Sequence, residues 1–290
     1  MKAYLPSLPK VLVDEAVRAA LLEDFGRAGD ITSAATISQD ARAVAILSTR
    51  EDGVLAGVDF VLSAFRLTDP SITVEMLKAD GDTLKAGDRI CRVEGPARSV
   101  LSGERVGLNF MMHLSGIATY TSVFAAEIAH TKARVTCTRK TLPGLRAFAK
   151  YAVRLGGGSV HRYGLDDAVL IKDNHIAVCG GVKEAIRAAQ AYAGHLVKIE
   201  CEVTTLDQLK EALAERPNVI LLDNMTPELL EKAVKINEAQ GDRKVVLEAS
   251  GGISLKTIRA VAETGVDYIS TSKITMAAQT LDVGLDVEVR

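Results

Sequence analysis

From about residue 130 onward the chain repeats one pattern: a β-rich run, a turn, an amphipathic helical stretch, then another run. The six runs are RVTCTRK, DAVLIKDN, VKIECEV, NVILLDN, KVVLEASGG and VDYISTS. Each is close to continuously apolar, as a parallel strand buried on both faces must be. The stretches between them carry helix punctuation. TTLDQLKEALAERP offers Thr204 or Thr205 as N-cap and stops at Pro217. TPELLEKAVKINEAQG offers Thr226 as N-cap, Pro227 at the first helical position and Gly241 as its stop. SLKTIRAVAETG offers Ser254 as N-cap and Gly265 just past its end. Six such alternations predict a parallel βα architecture. A full eight-unit barrel needs roughly 250 residues. This segment is far shorter, so a smaller or incomplete six-stranded α/β barrel is expected.

The first half has a different rhythm. KVLVDEAVRAALLEDF has helical spacing. ARAVAILSTREDGVLAG reads as two strands joined by a tight Glu-Asp-Gly turn, and SITVEMLKADGDTLKAGDRICRVEG alternates β-runs with Gly-Asp turns. Two helices are predicted after these, ERVGLNFMMHLSG and ATYTSVFAAEIAH. The first half is therefore an α+β domain. Its border with the barrel falls between about residues 115 and 130, with no low-complexity linker, so the two parts are expected to pack together.

The totals limit what such a chain can bind. Its 290 residues carry a formal net charge of -2, with 48% hydrophobic and 25% charged residues. That is an ordinary soluble composition, and its near-neutral balance argues against bulk binding to nucleic acid or a membrane surface. A cationic site must therefore be local. Cys91, Cys137, Cys179 and Cys201 form no CxxC pair, which favours reduced thiols and gives no zinc spacing. MKAYLPSLPK has no apolar signal core, and no run is long and apolar enough to span a bilayer. A cytoplasmic protein is expected.

In parallel βα folds, ligands bind at the carboxyl ends of the strands. The first run ends in Arg139 and Lys140, the second in Lys172, Asp173 and Asn174. The third carries Glu200 and Glu202, and the fourth ends in Asp223 and Asn224. The fifth ends in Glu248, Ser250, Gly251 and Gly252, the sixth in Ser270, Thr271 and Ser272. His161 and Arg162 follow Gly156, Gly157 and Gly158. Taken singly, each has a structural explanation: the glycines can end a helix, and Glu202 and Asp223 can pair with neighbouring cations. His113 reads as a packed core residue and His195 as superficial. Together they predict several cations converging on one mouth, which is costly unless an anion neutralises them. Glu202 and Asp223 stand opposite and could hold a metal or ribose hydroxyls.

These residues fall into longer matches. TRKTLPGLR, KYAVRLGGGSVHRYGLDDAVLIKDNH, ECEV, LLDN, LEASGGI and ETGVDYIS follow one another in order, preceded by LLEDFGRAGDITS and SGERVGLNFMMHLSGIAT. Over nearly its whole length the chain resembles the quinolinate phosphoribosyltransferases. The resemblance implies an N-terminal α+β sandwich domain, residues 1–116, and an incomplete barrel, residues 117–274, with the tail 275–290 packing back on the first domain. It implies a homodimer, and a reaction of quinolinate with phosphoribosyl pyrophosphate and Mg2+ that yields nicotinate mononucleotide, pyrophosphate and carbon dioxide. By the same resemblance Arg139, Arg162 and Lys172 clasp the quinolinate carboxylates, Arg105 arrives from the partner subunit, and His161 shares the pocket. Lys140 addresses the phosphoribosyl donor. Glu202 and Asp223 hold ribose hydroxyls and the metal, directly or through the donor. Ser250, Gly251, Gly252, Ser270 and Ser272 surround the 5′-phosphate. The family often has a GxxTHS pattern in the last loop. Here SKITMAA puts Ser272 at its Gly and Met276 at its His.

Three other readings start from the same residues. Lys172 at a strand end could form a Schiff base, as in a class I aldolase-like lyase. A non-catalytic transport-accessory relative would keep the anion site without turnover. A transferase acting on nicotinate itself would need fewer cations than Arg139, Arg162 and Lys172 supply.

Overall fold

A four-stranded antiparallel sheet and a six-stranded parallel sheet organise the chain, whose computed structural model describes residues 6–289. One compact unit takes in Met1–Ser122, Phe148–Gly157 and Ala278–Arg290, the other Val123–Ala147 and Gly158–Ala277. In chain order the first unit holds β1 (Arg42–Thr49), β2 (Gly53–Val54), β3 (Thr73–Met76), β4 (Thr83–Leu84) and β5 (Arg89–Pro96). The second holds β6 (Arg134–Thr136), β7 (Val169–Ile171), β8 (Ile199–Val203), β9 (Val219–Asp223), β10 (Val246–Ser250) and β11 (Tyr268–Ser270). The last strand, β12 (Val283–Val289), belongs again to the first unit.

In the first unit β1 is paired on both edges. β5 lies antiparallel on one side, and β12 on the other, with Leu47 opposite Leu285. This departs from the expected hairpin: the Glu-Asp-Gly turn does not fold β2 back onto β1. With both edges of β1 taken, β2 pairs instead with β4, Gly53 opposite Leu84. Asp52 fixes the turn by accepting from Lys85 Nζ at 2.7 Å and from the Ala86 amide at 3.0 Å. The two helices expected next are one helix of 31 residues, Ala97–Glu127. Glycine weakens a helix interior, yet Gly103, Gly107 and Gly116 all lie within this helix. Packing explains why they are tolerated. A Cβ at Gly107 would lie 3.2 Å from Val61 Cα, and one at Gly116 only 2.0 Å from the Gln279 carbonyl oxygen. Phe110 of this helix stacks on Phe60 with ring centroids 4.6 Å apart, and Phe148 meets both edge-on.

In the second unit the strand order is β6-β11-β10-β9-β8-β7, every neighbouring pair parallel. β6 and β7 are not paired to each other, so the six strands form an incomplete barrel. Ser159 forms an isolated parallel bridge to Thr136 at the free edge of β6. The face of the sheet turned away from the rim cavity supplies an apolar core: Val135, Ile171, Cys201, Ile220, Leu222, Leu247 and Ile269 are all buried. The helix signals hold with one shift. Thr205 caps Leu206–Glu215 by accepting from the Gln208 amide, and Pro227 opens Pro227–Glu238. Ser254 starts a turn, accepting from the Thr257 and Ile258 amides, and the regular helix begins only at Ile258. None of the four cysteines is in a disulfide. Burial pushes the Cys91 and Cys201 thiols up to about 12, whereas Cys179 is exposed.

The close approach at Gly116 leads to a test. Gly116→Ala should lower stability by about 1–3 kcal/mol, the usual cost of overpacking, read as a fall in the denaturant midpoint. Gly194→Ala has nothing within 4 Å of the added Cβ and should be neutral or slightly stabilising.

Candidate active site

Parallel pairing brings every carboxyl end to one rim, where a cavity of about 770 Å³ opens. Arg139 and Lys140 line it from the end of β6, His161 and Arg162 from the segment before β7, and Lys172 from the end of β7. Glu202 and Asp223 line it from β8 and β9. Ser250, Gly251 and Gly252 follow at β10, and Ser270, Thr271, Ser272 and Lys273 at β11. Twelve of the thirteen residues that the resemblance assigns to the site thus share one cavity, whereas Asp173, Asn174 and Glu200, also named at strand ends, do not line it. The thirteenth, Arg105, lies on the helix Ala97–Glu127, its side chain 59% exposed and its guanidinium 3.8 Å from Glu104.

The loop that presents Arg139 and Lys140 is held by side chains that take no part in lining the cavity. Arg146 donates from Nε to Thr141 Oγ1, from one terminal nitrogen to the Tyr163 carbonyl at 3.0 Å, and from the other to the Arg139 carbonyl at 3.3 Å. Thr275 Oγ1 donates to the Lys140 carbonyl at 2.8 Å. Arg146 thus braces the loop. Gly156 and Gly157 do end the helix Arg146–Leu155, Gly157 with φ +84°.

Lys172 sits between the end of β7 and the helix Asp173–Cys179. Its amide donates to His175 Nδ1 at 3.0 Å, and its ammonium pairs with Glu202 Oε2 at 2.7 Å. A Schiff-base lysine needs a free amine, so this pairing disfavours the aldolase-like reading. The ends of β9 and β10 interlock. The Asn224 amide donates to the Ser250 carbonyl, and Asn224 Nδ2 donates to Asp223 Oδ2 at 2.7 Å. Gly251 has φ +94°, and a Cβ there would lie 2.1 Å from Asn224 Oδ1, so only glycine fits beside that amide.

Charge is unbalanced in this cavity. Arg139, Lys140, Arg162, Lys172 and Lys273 line it together with the carboxylates of Glu202, Asp223 and Glu248, five cations against three anions. Among the described residues Arg139, Lys140, Arg162 and Lys273 make no salt bridge, and the buried Nε atoms of Arg139 and Arg162 have no hydrogen-bond partner. Burial, and then the neighbouring Arg139 charge, pull the Arg162 guanidinium below its usual range; Glu200 and Asp167 work against both. Buried, unsatisfied guanidinium nitrogens beside excess positive charge call for an anion with carboxylate or phosphate oxygens.

His161 lies 2.9 Å from Glu200 and 3.8 Å from Glu248, both buried. The three offer ligand atoms within 4.8 Å of one another. Their hydrogen bonding is unsuited to a metal, because His161 Nδ1 accepts the Arg162 amide N–H at 2.8 Å. The imidazole proton is then on Nε2, where a metal would need a lone pair. Glu202 and Asp223 fit magnesium better, since that ion is usually held by one or two carboxylates plus substrate phosphates. Both line the cavity.

The last loop departs from the family pattern without strain. Ser272 has φ -78°, a conformation open to any residue, so glycine is not required. Met276 is 53% exposed and is not among the lining residues, whereas Lys273, which the sequence reading passed over, is. His113 is half-buried on the helix Ala97–Glu127, where burial draws its pKa down; His195 is exposed.

Residues 30–115 match the quinolinate phosphoribosyl transferase N-terminal domain and residues 117–286 the C-terminal domain of the same family. The nicotinate-nucleotide pyrophosphorylase (carboxylating) of Mycobacterium leprae is 42% identical over 278 residues, 94% of this chain and 96% of that one. A Bacillus subtilis protein described as a probable nicotinate-nucleotide pyrophosphorylase (carboxylating) is 42% identical over 266 residues, 92% of this chain and 90% of its own. The solved structure of the nicotinate-nucleotide pyrophosphorylase from Francisella tularensis superposes with a TM-score of 0.93 at 39% identity, covering 99% of this chain and 100% of that one. The sequence, the six-stranded parallel sheet and the cationic rim agree with these matches, and the chain belongs to the quinolinate phosphoribosyltransferase family.

Proposed function

We propose that this chain transfers phosphoribosyl from phosphoribosyl pyrophosphate to quinolinate, with loss of carbon dioxide, to give nicotinate mononucleotide and pyrophosphate. It is a pentosyltransferase of de novo NAD biosynthesis. The observation that carries this reading is the pair of buried, unpartnered guanidinium Nε atoms of Arg139 and Arg162 in a cavity that also holds Glu202 and Asp223. Quinolinate carries two carboxylates on adjacent ring carbons. Planar guanidinium groups meet such carboxylates with two parallel N–H donors, which a lysine cannot do.

The chemistry follows from these charges. As the bond from C1′ to pyrophosphate breaks, positive charge develops on the ribose, and the Glu202 and Asp223 carboxylates stabilise it. Lys140 takes up charge on the departing pyrophosphate. The ring nitrogen of quinolinate gives its lone pair to C1′. The bond from C2 to its carboxyl carbon then breaks, leaving its electron pair on C2 beside the cationic nitrogen. C2 takes a proton, with Lys172 or a water as its source. No covalent bond to the enzyme is needed, so the site acts by positioning and electrostatics. Magnesium, bound through Glu202, Asp223 and the donor's own oxygens, would supply charge neutralisation to the leaving pyrophosphate. Ser250, Gly251, Gly252, Ser270 and Ser272 are assigned to the 5′-phosphate, with Lys273 beside them.

Pyrophosphate and carbon dioxide should appear in equal amounts when the protein receives quinolinate, the phosphoribosyl donor and magnesium, and barely at all with nicotinate. Equal turnover of nicotinate would overturn the dicarboxylate assignment. Arg139→Ala should raise the quinolinate concentration at half-saturation by about 10- to 100-fold, the range for loss of a hydrogen bond to a charged group. Unchanged saturation would rule Arg139 out of the quinolinate pocket.

The exposed Arg105 is assigned to the cavity of a partner subunit in a homodimer. A two-fold dimer has two equivalent sites, each completed by the other chain. Arg105→Ala and Asp223→Ala should each be nearly inactive alone. Mixed, unfolded together and refolded, they should recover about a quarter of wild-type activity, because half the dimers are mixed and each holds one intact site. No recovery would place Arg105 in its own chain's chemistry or outside it altogether. A cytoplasmic location is proposed from the four cysteines, none of them in a disulfide. Among the described residues no helix is long and apolar enough to cross a membrane.

A further inference from the structure

Two buried carboxylates beneath the rim have no role in the reaction derived above. Glu200 on β8 and Glu248 on β10 are 8% and 5% exposed, on the strands that flank β9. Both reach His161. Glu200 Oε2 lies 2.9 Å from His161 Nε2, and Glu248 Oε1 lies 3.8 Å from it. On the opposite side of the ring, Nδ1 accepts the Arg162 backbone N–H at 2.8 Å. A nitrogen that accepts an N–H carries its lone pair there, so the single proton of the neutral ring sits on Nε2 and is donated to Glu200. Both ring nitrogens are committed within the protein. His161 is a lining residue of the cavity whose two nitrogens already have partners in the protein.

We propose that Glu200 is a positioning residue for recognition of the substrate's carboxylates. By accepting the Nε2 proton it fixes the tautomer of His161 whose Nδ1 holds the Arg162 backbone, and so sets Arg162 in the cavity. Arg162 is held at its other end as well, one terminal nitrogen donating to the Ala168 carbonyl at 3.1 Å. Its buried Nε has no partner in the protein. The charge of Glu200 also favours the charged guanidinium of Arg162, against burial and against Arg139. Glu248, farther from the ring, adds negative charge on the same side. The identity of the ligand rests on the quinolinate reading; the tautomer and its consequence for Arg162 do not.

The test uses the full chain with 15N-labelled histidine, the His161 signals being assigned by their loss in His161→Asn. The proton should be on Nε2 in the ligand-free protein. In Glu200→Met, which keeps the volume and removes the acceptor, that preference should be lost. The quinolinate KM should then rise by about 10- to 100-fold, the scale of an unsatisfied buried donor. The KM for the phosphoribosyl donor should stay within about threefold of wild type, since each interaction is read separately in its own half-saturation. Glu200→Gln keeps a carbonyl acceptor and should restore both the tautomer and most of the quinolinate affinity. A proton on Nδ1 in the wild type would overturn the proposal, as would Glu200→Met with normal quinolinate saturation, or both KM values rising together. A large shift of the His161 signals on adding magnesium or zinc alone would overturn it in favour of a metal site. If Glu200→Met does not fold, the wild-type tautomer and Glu200→Gln still decide. A wild-type protein that fails to turn over quinolinate would sink the functional reading but not the tautomer, which the spectrum reports independently.

Discussion

Because β6 to β11 all run the same way, their carboxyl ends open on a single rim, and five cationic side chains come to share one cavity. Like charges held that close in partly buried surroundings raise the energy of the empty site. The fold offsets some of this from below, with Glu200 and Glu248 buried on β8 and β10, and some from beside, with the Lys172–Glu202 pair. It does not offset all of it. Arg139 and Arg162 keep buried Nε donors without partners. On the proposed assignment a dicarboxylate and a pyrophosphate ester bring the missing negative charge, and the energy of the empty cavity becomes affinity for them. The carboxylates Glu202 and Asp223 then lie in the same cavity as the sugar whose positive charge rises during transfer.

A cavity of this kind works only if its cations stay in place when the anion is absent. Much of the surrounding hydrogen bonding serves that purpose. Arg146 and Thr275 tie down the backbone at Arg139 and Lys140, and His175 holds the Lys172 amide. Asn224 and Gly251 lock the turns after β9 and β10 against each other. Arg146, Thr275 and His175 do this from outside the lining of the cavity. They remove freedom that would otherwise be lost on binding, which is how a site built on loops gains the precision of one built on strands.

The barrel was legible in the sequence because its strands are apolar throughout and its helices carry Thr205, Pro227 and Gly265 at their ends. The rim residues were legible because parallel pairing puts strand-terminal residues together, whichever strand they come from. What was hidden depended on non-local packing. Gly116 looks like a helix break until Gln279, far along the chain, is seen to occupy the space its side chain would need. The Glu-Asp-Gly turn looks like a hairpin until β12 takes the second edge of β1. Arg146 looks like one more cation near Arg139 until its three hydrogen bonds show it bracing the loop. His161 looked like a ligand-binding histidine, and only the Arg162 amide at Nδ1 reveals that its nitrogens are already engaged.

The loop after β11 shows which parts of a recognition pattern are fixed by geometry and which by charge. Where the family often has glycine, Ser272 takes φ -78°, so the backbone here makes no demand that only glycine could meet. Gly251 is the contrasting case, with φ +94° and Asn224 filling the space of a Cβ. A side chain can replace the first and not the second. Where the family often has histidine, Met276 points no charge at the cavity and is half exposed. Three residues earlier, Lys273 lines the cavity from the same short helix. An ammonium is a point charge on a flexible stem and needs no fixed origin to reach a phosphate. In this loop the cation at the rim is therefore Lys273.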